Sequence, residues 1–308
     1  MVELTTNKML TPTNPGYALV EAKELKDQLT FVKDNRNVED VARLEGVYRR
    51  FLSPLVPSFD VSRIQPTRYD EYTFTDGLSS FLAFTQSVEI NARIAIAAAG
   101  WKGKIKRDFA REIADSVDDK WALRKQSKSS RGRKVFFPPG DNLSFIISEQ
   151  LVAREFDRDP GWMMKPHPMS SAEDVREWKL RIGFTRMFTQ FEKAMPLVRK
   201  AAAIGYTTTS ELGIIAMLLD KPTFDFTDYE FEGWGCYHPI YEAIRNHPDL
   251  KPSTVINRLW NCPWSGMMPL DTEDDEAERR FTQFKHTAEK LRETYSPVTQ
   301  PLSSPERK

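Results

Sequence analysis

Cysteine is nearly absent from this chain: Cys236 and Cys262 are the only two in 308 residues. Two thiols are too few for the disulfide framework of a small secreted scaffold, and they fit a reducing, intracellular compartment (cytoplasm or virion). Histidine is also scarce, at four residues, which leaves few options for imidazole acid–base chemistry, although Asp and Glu remain. No excess of charge exists either, since 44 Lys and Arg balance 44 Asp and Glu. That balance argues against a surface that grips nucleic acid or membrane over its whole extent, while a local patch stays open. The most apolar window, residues 78–99, contains Gln86, Glu89, Asn91 and Arg93. Such residues are costly inside a bilayer, so the window reads as a buried helix and no membrane partner is expected. The first ten residues show no basic stretch followed by an apolar run, so no signal peptide is expected.

Motifs that announce chemistry are missing as well. The chain has no GxxxxGK[ST] or GxGxxG phosphate loop, no HExxH, no GxSxG elbow and no CxxC. The stretch Gly100-Trp101-Lys102-Gly103-Lys104 is basic and carries glycine but matches neither phosphate loop. These absences lean the reading away from an enzyme, with no catalytic residue, metal set or cofactor assigned.

What is present is ordinary globular material, 40% hydrophobic and 29% charged, long enough for one large or two small domains. Helical periodicity dominates. Ala22, Leu25, Leu29 and Val32 share one face; Val41, Leu44, Tyr48 and Phe51 share another behind the N-cap Asn37, with Pro54 as the stop. Residues 53–75 read as a connector. Asp76 can cap a helix through Leu78, Phe81, Leu82, Thr85, Val88 and Ala92, which Gly100 ends. Ile105, Phe109, Ile113, Val117 and Trp121 follow at fourfold spacing.

Further helices are expected over 143–157, from Ser171 with Asp174 to Pro196, over 197–204, and over 213–219 behind the capping-box spacing of Thr208 and Glu211. Residues 162–169 read as irregular, and 222–236 as either a strand or an extended loop. Pro239 and Pro252 sit where first-turn prolines sit. Thr272 starts a long helix with acidic residues in its first turn, carrying Phe281, Phe284, Ala288, Leu291 and Tyr295. The expected fold is therefore mostly α: a multi-helix globule of about ten helices with few or no short strands. An N-terminal arm (1–15) and a tail (297–308) flank a single helical domain (16–296), with two lobes allowed at the loop 125–141.

The strongest local signal is the segment 120–134. It carries Lys120, Arg124, Lys125, Lys128, Arg131, Arg133 and Lys134 with no acidic residue between, and Trp121, Phe136 and Phe137 flank it. Flexible cations beside aromatics suit a phosphate backbone, because counterion release supplies affinity without regard to sequence; a solvated surface loop is the plainer alternative. Lys102, Lys104, Lys106 and Arg107 extend the positive region upstream.

Three other groupings have chemical and structural readings side by side. Asp271, Glu273, Asp274, Asp275, Glu276 and Glu278 lack the glycine and ligand order of a calcium loop and read first as an acidic helix start, second as a contact for a neighbouring subunit's basic loop. Cys236, His238, His247 and Cys262 are zinc-ligand types without zinc spacing, against two buried thiols and two helix-start histidines. Asp225, Asp228, Glu230 and Glu232 suit either a divalent cation for phosphoryl chemistry or a solvated edge. The functional expectation is a non-enzymatic, self-associating protein of coat or nucleocapsid character that contacts RNA or DNA through the basic segment. The alternatives are an enzyme of nucleic-acid or phosphate metabolism with a scattered site, and a helical adaptor.

Overall fold

The structure, a computed structural model, describes residues 17–18, 32–33, 38–51, 72–116, 130–168, 170–190 and 192–295, and every structural statement concerns these. The arm 1–15 and the tail 297–308 lie outside the described residues, as do most of the helix expected over 16–32 and residues 120–129 of the basic segment.

Ten α-helices do form, but nine strands accompany them, and this overturns the mostly α expectation. The central element is a four-stranded parallel sheet. Its strands are β5 (Lys134–Phe136), β6 (Trp162–Met164), β7 (Ala203–Tyr206) and β8 (Thr223–Asp225), in spatial order β6-β5-β7-β8. Val135 lies level with Met163 and Ile204, and Gly205 with Phe224. A second sheet is antiparallel, with order β3-β4-β9, built from β3 (Tyr72–Gly77), β4 (Ser80–Thr85) and β9 (Met267–Pro269). A two-residue pair, β1 (Tyr17–Ala18) with β2 (Val32–Lys33), completes the set.

Helices cover both faces of the parallel sheet, as a doubly wound arrangement requires. On one face α4 (Glu149–Arg158) and α5 (Ala172–Ile182) lay Val152, Phe156, Trp178 and Ile182 against Phe136, Trp162, Met164 and Phe226. On the other, α6 (Ala194–Lys200), α7 (Glu211–Leu218), α8 (His238–Arg245) and α9 (Pro252–Asn261) pack with Val135, Ile204 and Tyr206. The β5–β6 crossover thus runs on the first face, the β6–β7 connection passes from the first face (α5) to the second (α6), and the chain leaves β7 on the second.

The antiparallel sheet is wrapped in a similar way. Phe81 and Ala83 of β4 meet Tyr48 of α1 (Val38–Phe51), Ile90 and Ile94 of α2 (Val88–Ala99), and Phe281 and Phe284 of α10 (Asp274–Tyr295), while Leu82 and Phe84 join the larger core. The long terminal helix therefore packs within the molecule. The remaining helix, α3 (Phe109–Ser116), buries Phe109, Ala110 and Ile113. None of the described helices is long and apolar enough to cross a membrane.

Several expected boundaries move for one reason. Strand β4 is buried on both faces, so its apolar run shows no alternation and mimics the start of a helix. The helix expected from Asp76 is instead a hairpin, a two-residue turn at Leu78–Ser79, and then α2, capped at Ser87 and ended at Gly100. Residues 72–75 belong to β3 instead of a connector. The irregular stretch after Pro160 holds β6, the short helix expected over 197–204 is the end of α6 plus β7, and 222–236, read as a strand or an extended loop, divides into the three-residue β8 and a 3-10 helix (Tyr229–Trp234). The helix over 143–157 splits into a 3-10 helix (Asp141–Ile146) and α4.

Gly205 stands at the centre of the parallel sheet, and a Cβ there would lie 2.5 Å from the Phe226 ring and 3.1 Å from the Phe136 Cβ. Both neighbours are fully buried. Gly205→Ala is expected to destabilise the protein by about 1–3 kcal/mol, the usual range for overpacking a filled core, read from the urea midpoint. A midpoint unchanged within experimental error contradicts this packing.

Candidate ligand site at the carboxyl edge of the parallel sheet

In an open parallel sheet, loops leaving adjacent strands toward opposite faces part and leave a crevice beyond the strands' carboxyl ends. Here that place lies between β5 and β7. After β5 the chain continues through Phe137, whose N–H donates to the Gly205 carbonyl at 3.0 Å, and through buried Pro138, Pro139 and Gly140. After β7 it runs through Thr207, Thr208, Thr209 and Ser210 into α7.

The threonines and the serine are each held in place. Thr207 and Thr209 hydroxyls pair at 2.9 Å. The Thr208 N–H donates to Thr227 Oγ1, and its hydroxyl donates to the Glu232 carbonyl at 3.0 Å. Ser210 caps α7 by accepting from the Leu212 N–H at 3.2 Å. The cap expected at Thr208 is thus made by Ser210, as a plain N-cap and not a capping box, since Gly213 stands three residues on. Glu211, in the first turn, accepts from the Leu78 N–H at 3.0 Å and the Tyr237 hydroxyl at 3.4 Å, tying the hairpin tip to the sheet edge. Leu78 and Ser79 both occupy the left-handed region, at φ 54° and 55°, which two-residue hairpin turns need and non-glycine side chains resist.

Lys165 follows β6 directly. Its backbone N–H donates to the Phe136 carbonyl at 2.9 Å, which fixes it beside the end of β5. The side chain is buried, donates from Nζ to the Gln190 carbonyl at 3.0 Å, and feels the buried carboxylate of Glu192. Burial pulls its pKa down to about 7, against the opposing pull of Glu192. A lysine at this edge exchanges its proton near neutral pH, and an arriving anion would favour the charged form.

A second group gathers where β7 and β8 end. Arg245, in the last turn of α8, forms ion pairs with Asp225 and Glu232 and reaches Glu242 at 3.0 Å. Asp225 also accepts from the Thr227 N–H at 2.9 Å; burial raises its pKa, while the bonds from Thr227 and the charge of Arg245 oppose the rise. Tyr206 stacks on Tyr241 at 4.5 Å, and burial raises its pKa. His238, in the first turn of α8, is 8% exposed and its Nδ1 has no hydrogen-bond partner. Burial lowers its pKa and favours the neutral ring.

The candidates read from sequence distribute differently. Lys120, Arg124, Lys125 and Lys128 lie outside the described residues. Arg131 and Arg133 are exposed just before β5, at the amino edge. Lys134 is engaged: its Nζ pairs with Asp159 at 2.9 Å and lies over the rings of Trp162 and Phe224. Of the four carboxylates at 225–232, Asp225 and Glu232 meet on Arg245, Asp228 caps a 3-10 helix (Tyr229–Trp234), and Glu230 is exposed.

The zinc-type quartet does not converge. His247 Nε2 lies 2.9 Å from the Ile96 carbonyl, and Cys262 is buried, its thiol pushed up to about 12 by burial. Cys236 borders Thr209, and only His238 joins a group of metal-ligand type. The acidic stretch leads into and begins α10, and it takes partners within the chain: Asp271 pairs with Arg107 at 2.8 Å, Asp274 with Arg43 at 2.6 Å, and Glu276 with Arg279 and Arg280. Sequence reasoning missed Lys165, Thr207–Ser210 as a hydroxyl loop, Glu242 and Arg245. The available signal for the hydroxyl loop was the polar run Thr207–Ser210 directly after the apolar residues 203–206. Comparison with family models, with curated proteins and with solved structures finds no match to this chain.

The depressed lysine has a measurable consequence. Between about pH 7 and pH 10 the unfolded chain holds a proton on Lys165 that the folded chain has released, so the unfolded state binds more protons and stability rises with pH. The contribution approaches about 1.4 kcal/mol per pH unit within that window and vanishes below it. Urea unfolding at pH 6, 7.5 and 9 is expected to show this rise in the wild type and its loss in Lys165→Met. Parallel pH profiles for the two proteins contradict the assignment.

Proposed function

We propose that this protein binds a phosphate-bearing small molecule, of the nucleotide class, at the carboxyl edge of its parallel sheet, as enzymes of phosphate and nucleotide metabolism do. The observation that carries the reading is the reversal of strand order between β5 and β7, because ligands of α/β sheets bind at such switch points. Three local features support it. The hydroxyls of Thr209 and Ser210 and the first-turn N–H groups of α7 stand at the half-buried rim, where oriented donors favour an anion. Lys165, buried beside β5, can take up a proton as an anion arrives. Phe145, Phe231 and Trp234 form an edge-to-face trio with centroids 5.4–6.2 Å apart on the two 3-10 helices that leave β5 and β8. Phe145 and Trp234 are 41% and 47% exposed, and exposed rings beside an anion site suit a planar base. Both cysteines are unbridged, which accords with a reducing interior.

Isothermal titration with nucleoside mono- and diphosphates, and with inorganic phosphate as the base-free probe, tests the reading. One nucleotide is expected to bind with 1:1 stoichiometry. Thr209→Val with Ser210→Gly should weaken it by about tenfold or more, the worth of one or two hydrogen bonds to a charged group. Affinity should also fall as pH rises above about 7, because binding must then return a proton to Lys165. Absence of binding at millimolar nucleotide rejects the proposal.

Contact with nucleic acid in a self-associating coat-type protein is the second reading. Its support is that Arg131 and Arg133 are exposed at the amino edge and continue the cationic run of 120–128, away from the ligand edge. Neutral replacement of Arg124, Lys125, Lys128, Arg131, Arg133 and Lys134 together should weaken RNA or DNA binding and flatten its dependence on salt. An affinity unchanged by all six replacements removes that reading.

A further inference from the structure

Three carboxylates, Asp225, Glu232 and Glu242, surround the single guanidinium of Arg245. Three negative charges against one positive leave two negative charges on a half-exposed patch, its carboxylates 22–35% exposed. Glu232 and Glu242 each give Oε1 to Arg245. The second oxygen of Glu242 has only a long contact from Asn246 at 3.4 Å, and that of Glu232 has no hydrogen-bond donor among the described residues. Beside them stands an imidazole with spare capacity. His238 is more than nine-tenths buried, its Nδ1 is unpartnered, and the charges it faces are Glu242, Glu232, Arg245 and Asp225. One ligand atom from each of Glu232, His238 and Glu242 lies within 4.8 Å of the others.

The backbone makes this grouping repeatable. His238 and Glu242 are four residues apart on α8 and share one face of it. Glu232 comes from the 3-10 helix before α8, anchored where its carbonyl accepts from the Thr208 hydroxyl and where the Tyr237 N–H donates to the Thr208 carbonyl at 3.0 Å. Gly235 lets this segment press onto Thr208, since a Cβ there would lie 2.2 Å from the Thr208 hydroxyl. The three side chains are thus set by one helix and one clamped turn.

We propose that Glu232, His238 and Glu242 bind one divalent transition-metal ion of the zinc or manganese class. The ion supplies the two positive charges that the patch lacks, and Arg245 and Asp225 remain as an outer layer that orients the carboxylates. One imidazole nitrogen with two carboxylates suits such ions, whereas magnesium and calcium favour all-oxygen shells. Three protein ligands leave a coordination position open on the same edge as the Thr207–Ser210 loop. The inference goes beyond the nucleotide reading and does not need it, because metal uptake is measured on the free protein.

The test is isothermal titration of chelator-stripped protein with zinc or manganese chloride, against magnesium chloride, without nucleotide. One ion per chain is expected for zinc or manganese. Its affinity should fall by at least about tenfold in Glu242→Gln and in His238→Gln, since losing even a group that only orients a ligand costs about ten- to a hundredfold. Asp275→Asn, in the acidic start of α10, should leave it unchanged. X-ray absorption of the zinc-loaded wild type should show nitrogen and oxygen neighbours without sulfur, a readout that stands even where a variant fails to fold. No uptake, uptake equal in the variants, or a sulfur ligand from Cys236 overturns the proposal.

Discussion

The contact of Phe226 and Phe136 across the α-carbon of Gly205 is the constraint on which the rest of the protein depends. Their ring centroids are 4.6 Å apart, and only a residue without a side chain lets them meet there. The contact holds β5 and β7 side by side with β8 in register, and Trp162 closes the cluster with its ring 5.2 Å from Phe226. Everything at the carboxyl edge inherits its position from this layer. The Phe226 N–H donates to the Tyr206 carbonyl at 2.8 Å, and the Phe226 carbonyl accepts from Ser148, so the loops after β5 and β8 are sewn to the end of β7. A shift of the sheet by one residue would exchange its faces and separate Tyr206, Asp225 and Thr208 from the elements that now meet them.

The zero net charge conceals a strong local order. At the antiparallel sheet, cations and carboxylates pair across long sequence distances: Arg43 with Asp274, and Arg107 with Asp271. Arg43 also donates to the Leu270 and Thr272 carbonyls, which fastens the entry of α10 to α1. Such exposed pairs contribute little individually, and their effect is positional. At the parallel sheet the balance differs: carboxylates outnumber the cation at Arg245, a lysine is buried at the end of β6, and an imidazole lacks a partner. Groups held away from their ordinary solvation accumulate where catalysis and binding are built, and here they line one edge of one sheet.

Legibility in the sequence followed the kind of element. Helices with a solvent face were readable, because polar residues on that face make the period visible. Ser171 caps α5 through the Asp174 N–H, Pro239 and Pro252 stand in the first turns of α8 and α9, and α10 shows its acidic start with Phe281 and Phe284 inward. Three of the four parallel strands were not readable, and β8 was read only as a strand or a loop. They are three or four residues long and covered on both faces, so their apolar runs have no alternation to betray them. Of the candidate site, Asp225, Glu232 and His238 were visible as chemistry-bearing residues, but in separate groupings. Lys165, one basic residue among many, carried no mark until burial was known.

By itself the sequence determined the starts of α5, α8, α9 and α10, the apolar supply for a large core and the balance of charge, because these depend on neighbours within a turn or on simple counts. Only the tertiary structure decided that the short apolar runs are parallel strands, that Lys165 is dehydrated, and that Glu232, His238, Glu242 and Arg245 form one group. Those properties arise from pairing and burial between segments tens of residues apart. No local pattern records them, because the same residues would be solvated and independent in an isolated segment.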